Sequence, residues 1–311
     1  MHSETTKFGQ ITEAITKEII EELQKGNVTW STPFSKAINS GLAKNYVTGR
    51  PYTGFNQFYL SFKAATKGYQ TPQYLTFKQA QELGGHIRKG EKATVIIFWK
   101  VIEQDREAQE KQTRLYPFYY YVFNIDQVDG VTFHILTPPP PSDNQLTNVA
   151  CQNIVAGYSN GPQITSAAAT PYYVPAQDKV NMPPVTSFKT ESLYYSVLFH
   201  ELIHSTGHSS RLDRFQKGVK PAPFGSPEYS KEELIAEIGA TFLCGLAGIY
   251  PDTRHHNAGY IDNWIDALQR DYTLIITAAN HILGLKETNT EELGTVNTNV
   301  VTHNMMFKAA S

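Results

Sequence analysis

The sequence predicts an α+β protein of two domains, an N-terminal domain mixing helices with strands and a helix-rich C-terminal domain. Three observations predict it. The first 135 residues alternate segments of helical period with two apolar, aromatic-rich runs of strand character. A proline run, "TPPPPSDNQLT" at 137–147, then interrupts the chain. The charge divides at the same place: of 27 Lys/Arg and 29 Asp/Glu, 16 and 13 fall in residues 1–135, so the first part carries +3 and the remainder −5. Domains of opposite charge meet different partners.

Phe8, Ile11, Ile15, Ile19 and Leu23 recur at spacings of three and four, and Gly26 follows. The chain therefore opens with an amphipathic helix that should pack on its own domain. Residues 51–68, "PYTGFNQFYLSFKAATKG", read as a second helix after a Pro/Gly-containing turn. "TFKQAQELGG" at 76–85 is a short helix, capped by Thr76 and ended by Gly84. "ATVIIFW" at 93–99 reads as a buried strand and "YPFYYYVFNI" at 116–125 as its partner, with the charged stretch 103–114 as a solvated connection.

Four consecutive prolines cannot continue a helix or a central strand, and they favour extended polyproline geometry. We therefore place the first domain at 1–136, a semi-rigid linker at 137–147 and the second domain at 148–285. Within the second domain, "TPYYVPAQDKVNMPP" at 170–184 reads as short strands around a turn. Residues 190–206, 230–247 and 259–283 read as helices. The tail, 286–311, is polar, Asn/Thr-rich and weakly periodic, and should lie loose or along the surface.

With 311 residues and 41% hydrophobic side chains, the chain is long and apolar enough for two real cores. Two cysteines, Cys151 and Cys244, exclude a disulfide framework and a four-cysteine zinc site. No apolar run approaches the roughly 18 residues that span a bilayer. The N-terminus lacks the basic start and apolar block of a signal peptide. A cytoplasmic protein without a membrane partner is expected.

The stretch "HELIHSTGH" at 200–208 carries the chemistry. His200, Glu201 and His204 match H-E-x-x-H. On a helix, positions i and i+4 share a face, so both imidazoles can reach one cation. Glu201, one residue along, is placed as the catalytic base that takes a proton from water. A catalytic zinc needs a third protein ligand. The long metzincin pattern asks for glycine three and histidine six residues after His204; Gly207 fits, but Ser210 does not. His208 lies beyond the helix-ending Gly207, and His255 and His256 read as loop residues.

The better third ligand is Glu233, in "SKEELIAEIGATFLCGLAG" at 230–248. Glu233 and Glu237 lie one turn apart on one face, and Ala236 and Ala240 allow a close approach to the first helix. Zincins use such a helix: one carboxylate binds the metal, and the acid four residues later orients a histidine ligand. A competing reading makes Ser230 and Glu233 a capping box. With Glu233 as ligand, or Glu237 in its place, the site is His₂Glu, holding one divalent metal. Zinc is the first choice; manganese is the alternative, because nitrogen and carboxylate ligands accept both.

Residues 30–100 hold ten Lys/Arg against Glu82 and Glu91, with aromatics interleaved. A cationic groove plus aromatic faces is the chemistry that holds a single strand without reading its sequence, and such binding weakens with salt. The competing reading is a solvated face over a core that takes Phe55 and Phe58. The glycine-rich "GGHIRKGEK" could grip phosphates through Arg88, Lys89 and Lys92. Arg50 and Tyr52 in "TGRPY", with Lys78 and Trp99, complete the candidate DNA contacts.

"YYSVLFHELIHSTGH", "RLDR" and "FGSPEYSKEELIAEIGATFLCGLAGI" together resemble the C-terminal metallopeptidase domain of the ArdC antirestriction family, carried by conjugative plasmids and phages. "TPYYVPAQDKVNMPP" fits the segment upstream. "TGRPYTGFN", "YLTFKQAQELGGHIRKGEKATVIIFWK" and "YYYVFNIDQ" resemble that family's single-stranded-DNA-binding domain. The resemblance runs in order over about residues 8–285 and leaves the tail outside. It implies a zincin-like C-terminal domain, single-stranded DNA as one partner and protection of incoming DNA from restriction. The protein substrate would then be a restriction-system protein. Two mechanisms stay open, coating of the strand and proteolysis, and beside them stands a third reading, a free-standing metallopeptidase whose basic domain recognises an acidic protein.

Overall fold

The first helix does not stay within its own half of the chain. In the computed structural model, which describes residues 6–25, 42–104, 112–135, 145–215, 226–249 and 258–276, α1 runs Lys7–Gln24. Thr6 caps it, its side chain accepting from Gly9 N at 3.2 Å. Glu18 accepts from Tyr59 Oη at 2.9 Å and from Lys63 Nζ at 2.6 Å, both in the N-terminal half. Thr16 Oγ1, however, donates to Tyr272 O at 2.8 Å, 256 residues away. The expectation that α1 packs only on its own domain is corrected: its apolar stripe, Ile15, Ile19 and Leu23, joins a core that also holds Trp264 and Leu274.

The N-terminal sheet has the order β1-β2-β5-β4: β1 Lys44–Asn45, β2 Gln73–Leu75, β4 Thr94–Gln104 and β5 Gln112–Asn124. β1 pairs parallel with β2, and the other pairs are antiparallel. A separate two-stranded ribbon joins β3 His86–Ile87 to β6 Val128–Asp129. α2, Gly54–Lys67, stops at Gly68, whose φ of 68° no β-carbon favours. α3, Phe77–Glu82, carries the expected Thr76 cap within a full capping box with Gln79.

The β4–β5 hairpin is longer than the sequence predicts, because the flanks of the charged segment pair in register as far as Gln104 opposite Gln112. Its strands are also less buried than expected: Phe98 is 43% and Tyr121 54% exposed. β4 lies at the sheet edge. There Asn56 of α2 closes the free backbone, donating to Ile97 O at 2.7 Å and accepting from Ile97 N at 2.8 Å.

In the second half, α4 spans Gln145–Ala156. It begins inside the span read as linker, so that expectation is corrected at its last three residues. The four prolines lie outside the described residues. β7 Gln163–Thr165, β8 Tyr172–Val174 and β9 Lys179–Asn181 form a sheet of order β7-β9-β8. β8 and β9 are the strands expected around a turn; β7, parallel to β9, was not foreseen.

Three longer helices follow among the described residues. α5 is Glu191–Ser205, α6 is Pro227–Ala247 and α7 is Ala258–Arg270. The single helix read over 259–283 is corrected to a broken one: α7 stops at Arg270, and helix resumes at 274–276, the last described residues. Asp271 Oδ1 then accepts from Thr273 N at 2.8 Å and Oγ1 at 2.6 Å, a side-chain competitor to the helical pattern. Residues beyond 276, including the tail 286–311, lie outside the described residues. No helix among the described residues is long and apolar enough to cross a membrane.

Candidate metal centre and nucleic-acid surface

Thr190 starts α5, its side chain accepting from Leu193 N at 3.1 Å. The helix then carries His200, Glu201 and His204 into a buried seam against α6. Gly239 makes that approach possible: a β-carbon built there would stand 2.7 Å from Ile203 Cγ1. Ala236 and Ala240 are buried on the same helix, as their small size suggested.

Ser226, not Ser230, caps α6, accepting from Tyr229 N at 3.2 Å. The helix therefore starts earlier than expected, and the capping-box reading of Glu233 has no helix terminus to serve. Instead Glu233 faces the histidines. Its carboxylate oxygens lie 3.5 Å from His200 Nε2 and 3.5 Å from His204 Nε2. The two Nε2 atoms are 3.1 Å apart. A tetrahedral ion with bonds of about 2.0–2.1 Å spaces its donors about 3.3 Å apart, so these separations suit one cation. Among the described residues, His200, His204 and Glu233 form such a donor group.

The other ring nitrogens face carboxylates too. Glu237 Oε1 lies 3.5 Å from His200 Nδ1, the position expected of an acid that orients a ligand. His204 Nδ1 lies 3.2 Å from Glu232 Oε1. Glu232 was missed in the sequence, although it stands beside Glu233. Arg214 holds it in two places, through Nη2 to Oε1 at 2.7 Å and Nε to Oε2 at 3.0 Å. The signal that could have found Arg214 is the "RLDR" segment just past a helix end, where cations complement exposed carbonyls.

Both arginines of that segment do so. Arg214 reaches Ile203 O at 3.1 Å and Thr206 Oγ1 at 2.7 Å. Arg211 donates to Ser205 O at 2.8 Å and pairs with Asp178 in the turn between β8 and β9. His208 sits apart from the donor group, with Nδ1 2.8 Å from Ser210 Oγ. His255 and His256 lie outside the described residues.

The charges explain why a cation belongs here. Burial alone pushes both imidazoles down. For His204, hydrogen bonds and charges from Glu232 and Glu233 outweigh it and push the ring up to about 10. For His200, Glu233 and Glu237 likewise turn the direction upward. Burial pushes Glu233 up, but the two imidazoles hold it well below the usual carboxylate range. Glu232 is also held low against its burial, by Arg214 first and then His204. The buried Glu233 and Glu237 and the half-buried Glu232 thus face two histidines and one arginine, and they favour positive charge at the rings. Glu201, also buried, lies one residue along α5 from His200.

The candidate DNA contacts divide. Arg50, Lys78, Arg88, Lys89 and Lys92 are exposed. Arg88 is shared between Glu91 at 3.1 Å and Asp129 at 3.7 Å; Lys78 lies 3.6 Å from Glu82. Tyr52 is half-buried against the cluster of Ala43, Leu60 and Tyr74. Trp99 turns toward α1, its ring edge-on to Phe8 at 5.4 Å. The solvent-facing aromatics of the hairpin are its neighbours Phe98, Tyr120 and Tyr121.

Comparison with known proteins gives two family matches. Residues 153–281 match a family described as zincin-like metallopeptidase. Residues 9–123 match the N-terminal domain of anti-restriction factor ArdC. The chain is 33% identical over 286 residues to a DNA primase TraC of Escherichia coli, covering 86% of this chain and 19% of the primase. A second Escherichia coli TraC is 32% identical, with 26% of its length covered. The chain thus spans about a fifth to a quarter of those primases. It is 30% identical to uncharacterized protein y4eC of Sinorhizobium fredii, covering 88% of it. Among solved structures, antirestriction ArdC from plasmid R388 aligns at 30% identity and a TM-score of 0.70, over 96% of this chain and 97% of that one. That protein has been solved metal-free and with Mn(II) bound.

Proposed function

This chain belongs to the ArdC antirestriction family, and from that premise we propose that it shields incoming single-stranded DNA from host restriction with a metallopeptidase at His200, His204 and Glu233. The observation that carries the reading is the convergence of two Nε2 atoms and one carboxylate at 3.1–3.5 Å, with each Nδ1 facing a further carboxylate. The donor set is that of a His₂Glu centre and suits one divalent ion, zinc by its chemistry. The Mn(II)-bound relative supports manganese as the alternative. When bound, the ion would polarise a peptide carbonyl and acidify water.

The chain's own residues do the rest. Glu201 takes the proton from the attacking water and returns it to the leaving amine. Glu237 and Glu232 fix the two rings so that each presents Nε2. The basic N-terminal domain would keep the peptidase beside DNA entering the cytoplasm, where a restriction-system protein is the proposed substrate.

The test is metal content of the purified chain beside His204→Ala and Glu233→Ala, followed by protection assays with Glu201→Gln. One equivalent in wild type, lost in both ligand variants, is expected. Glu201→Gln should keep metal and DNA binding and lose protection. Protection that survives Glu201→Gln would replace proteolysis by coating of the strand.

A further inference from the structure

The outward face of the β4–β5 hairpin is an aromatic surface without an aromatic's usual cover. Antiparallel partners point to the same side of a sheet, and so do alternate residues along a strand. The register pairs Ile96 with Tyr120, Phe98 with Phe118 and Lys100 with Tyr116, so these six share one face. The opposite face is covered over Ile97, Trp99 and Tyr119: Ile97 is 4% exposed, Trp99 packs on Phe8, and Lys7 sits 5.2 Å over the Tyr119 ring, while Tyr121 at its end is 54% exposed without a partner aromatic across the strands, since Val95 stands opposite it.

On the first face, Ile96 is buried, but Phe98 is 43% and Tyr120 44% exposed. Phe98 and Tyr120 meet edge-to-face at 5.5 Å. Lys100 stands 4.6 Å over the Phe118 ring. Among the described side chains of this face there is no carboxylate.

We propose that this face, Phe98, Phe118 and Tyr120 with Lys100, is the stacking platform on which the N-terminal domain seats the bases of single-stranded DNA. The proposal rests on the reading of this domain as a single-strand binder and gives it a location. Charge complementarity favours the occupant: the sequence span 30–100 holds ten Lys/Arg against two Glu, and on the face itself the Lys100 ammonium suits a phosphate. Side chains two apart along a strand are about 6.8 Å apart, a step one nucleotide of an extended strand can follow. The glycine-rich turn is a poorer seat, because Arg88 is already engaged by Glu91 and Asp129. Phe98 and Tyr120 are exposed, so replacing them leaves the core intact.

The experiment is anisotropy titration of a labelled oligothymidine and of an abasic strand of equal length, at low salt. Wild type, Phe98→Ala, Tyr120→Ala, Phe98→Trp and Arg88→Ala are compared, with metal stoichiometry and thermal midpoint as folding controls. Each alanine change on the platform should weaken oligothymidine binding about 5- to 100-fold. It should also shrink the preference over the abasic strand, and Phe98→Trp should retain binding. The platform is overturned, with the single-strand reading intact, if wild type binds but Phe98→Ala and Tyr120→Ala match it, or if only Arg88→Ala loses affinity. If wild type binds neither strand, the reading and the platform fall together.

Discussion

Glu232 Oε1 stands 3.2 Å from Nδ1 of His204, while Glu233 Oε1 stands 3.5 Å from Nε2 of the same ring. Adjacent residues of one helix thus grip one imidazole from both nitrogens, one as a ligand's neighbour and one as its anchor. Glu232→Gln should lower metal affinity about 10- to 100-fold while leaving the stoichiometry at one. Competition with a chromophoric chelator measures this. Unchanged affinity would reduce Glu232 to a partner of Arg214 alone.

Arg214→Met tests the next link. Arg214 is almost fully buried and holds both oxygens of Glu232. Its removal leaves the half-buried Glu232 with His204 as its remaining partner, at a cost below the about 3–5 kcal/mol of a fully buried unpaired charge. The expected result is a marked fall in urea midpoint together with weaker metal binding. A double variant, Arg214→Met with Glu232→Gln, should recover part of the stability but not the affinity.

Gly239→Ala tests the contact between α5 and α6. The new methyl would meet three atoms of Ile203 at 2.7–2.9 Å. Overpacking of this kind costs about 1–3 kcal/mol and would move the histidines away from Glu233. Ile203→Val in the same chain removes one methyl at the crowded point and should restore part of the thermal midpoint. No loss in the single variant would show that the seam accommodates the methyl.

The pH dependence has a definite sign. In the metal-free protein His204 is raised to about 10, from an ordinary value near 6.5, by Glu232 and Glu233 against its burial. That stabilisation is fully present below about 6.5 and is lost as pH rises toward 10. A metal must displace the same proton. Apparent metal affinity should therefore rise with pH across this window, and binding at neutral pH should release protons. Calorimetry in buffers of different ionisation enthalpy reads the release directly; heats independent of buffer would contradict it.

The proposed role of Glu201 as base is tested separately from the metal. Glu201→Gln should keep one metal equivalent and reduce peptide cleavage about 100- to 10,000-fold. Its readout is cleavage of a candidate restriction protein in the presence of single-stranded DNA.

Much of this was legible in local sequence because local rules govern it. The i, i+4 spacing of His200 and His204 puts both rings on one side of a helix whatever the rest of the chain does. Thr76 followed by Gln79 is a capping box by its spacing alone. Alternating residues on two strands already assign Phe98 and Trp99 to opposite faces.

What the sequence by itself determined is therefore periodicity: which residues share a face, where caps and turns fall, and which helix carries the metal motif. The tertiary structure decided what stands opposite each face. Ser226 rather than Ser230 begins α6, which frees Glu233 for the histidines. Arg214 holds Glu232, 18 residues further along the chain, an ion pair no local pattern specifies. α1 covers Trp99 and leaves Phe98 to solvent, and it joins the two halves through Thr16 and Tyr272. The physical reason is the same in each case. Burial and long-range charge pairing depend on what else packs there, and contacts across 18 to 256 residues leave no spacing in the chain to read.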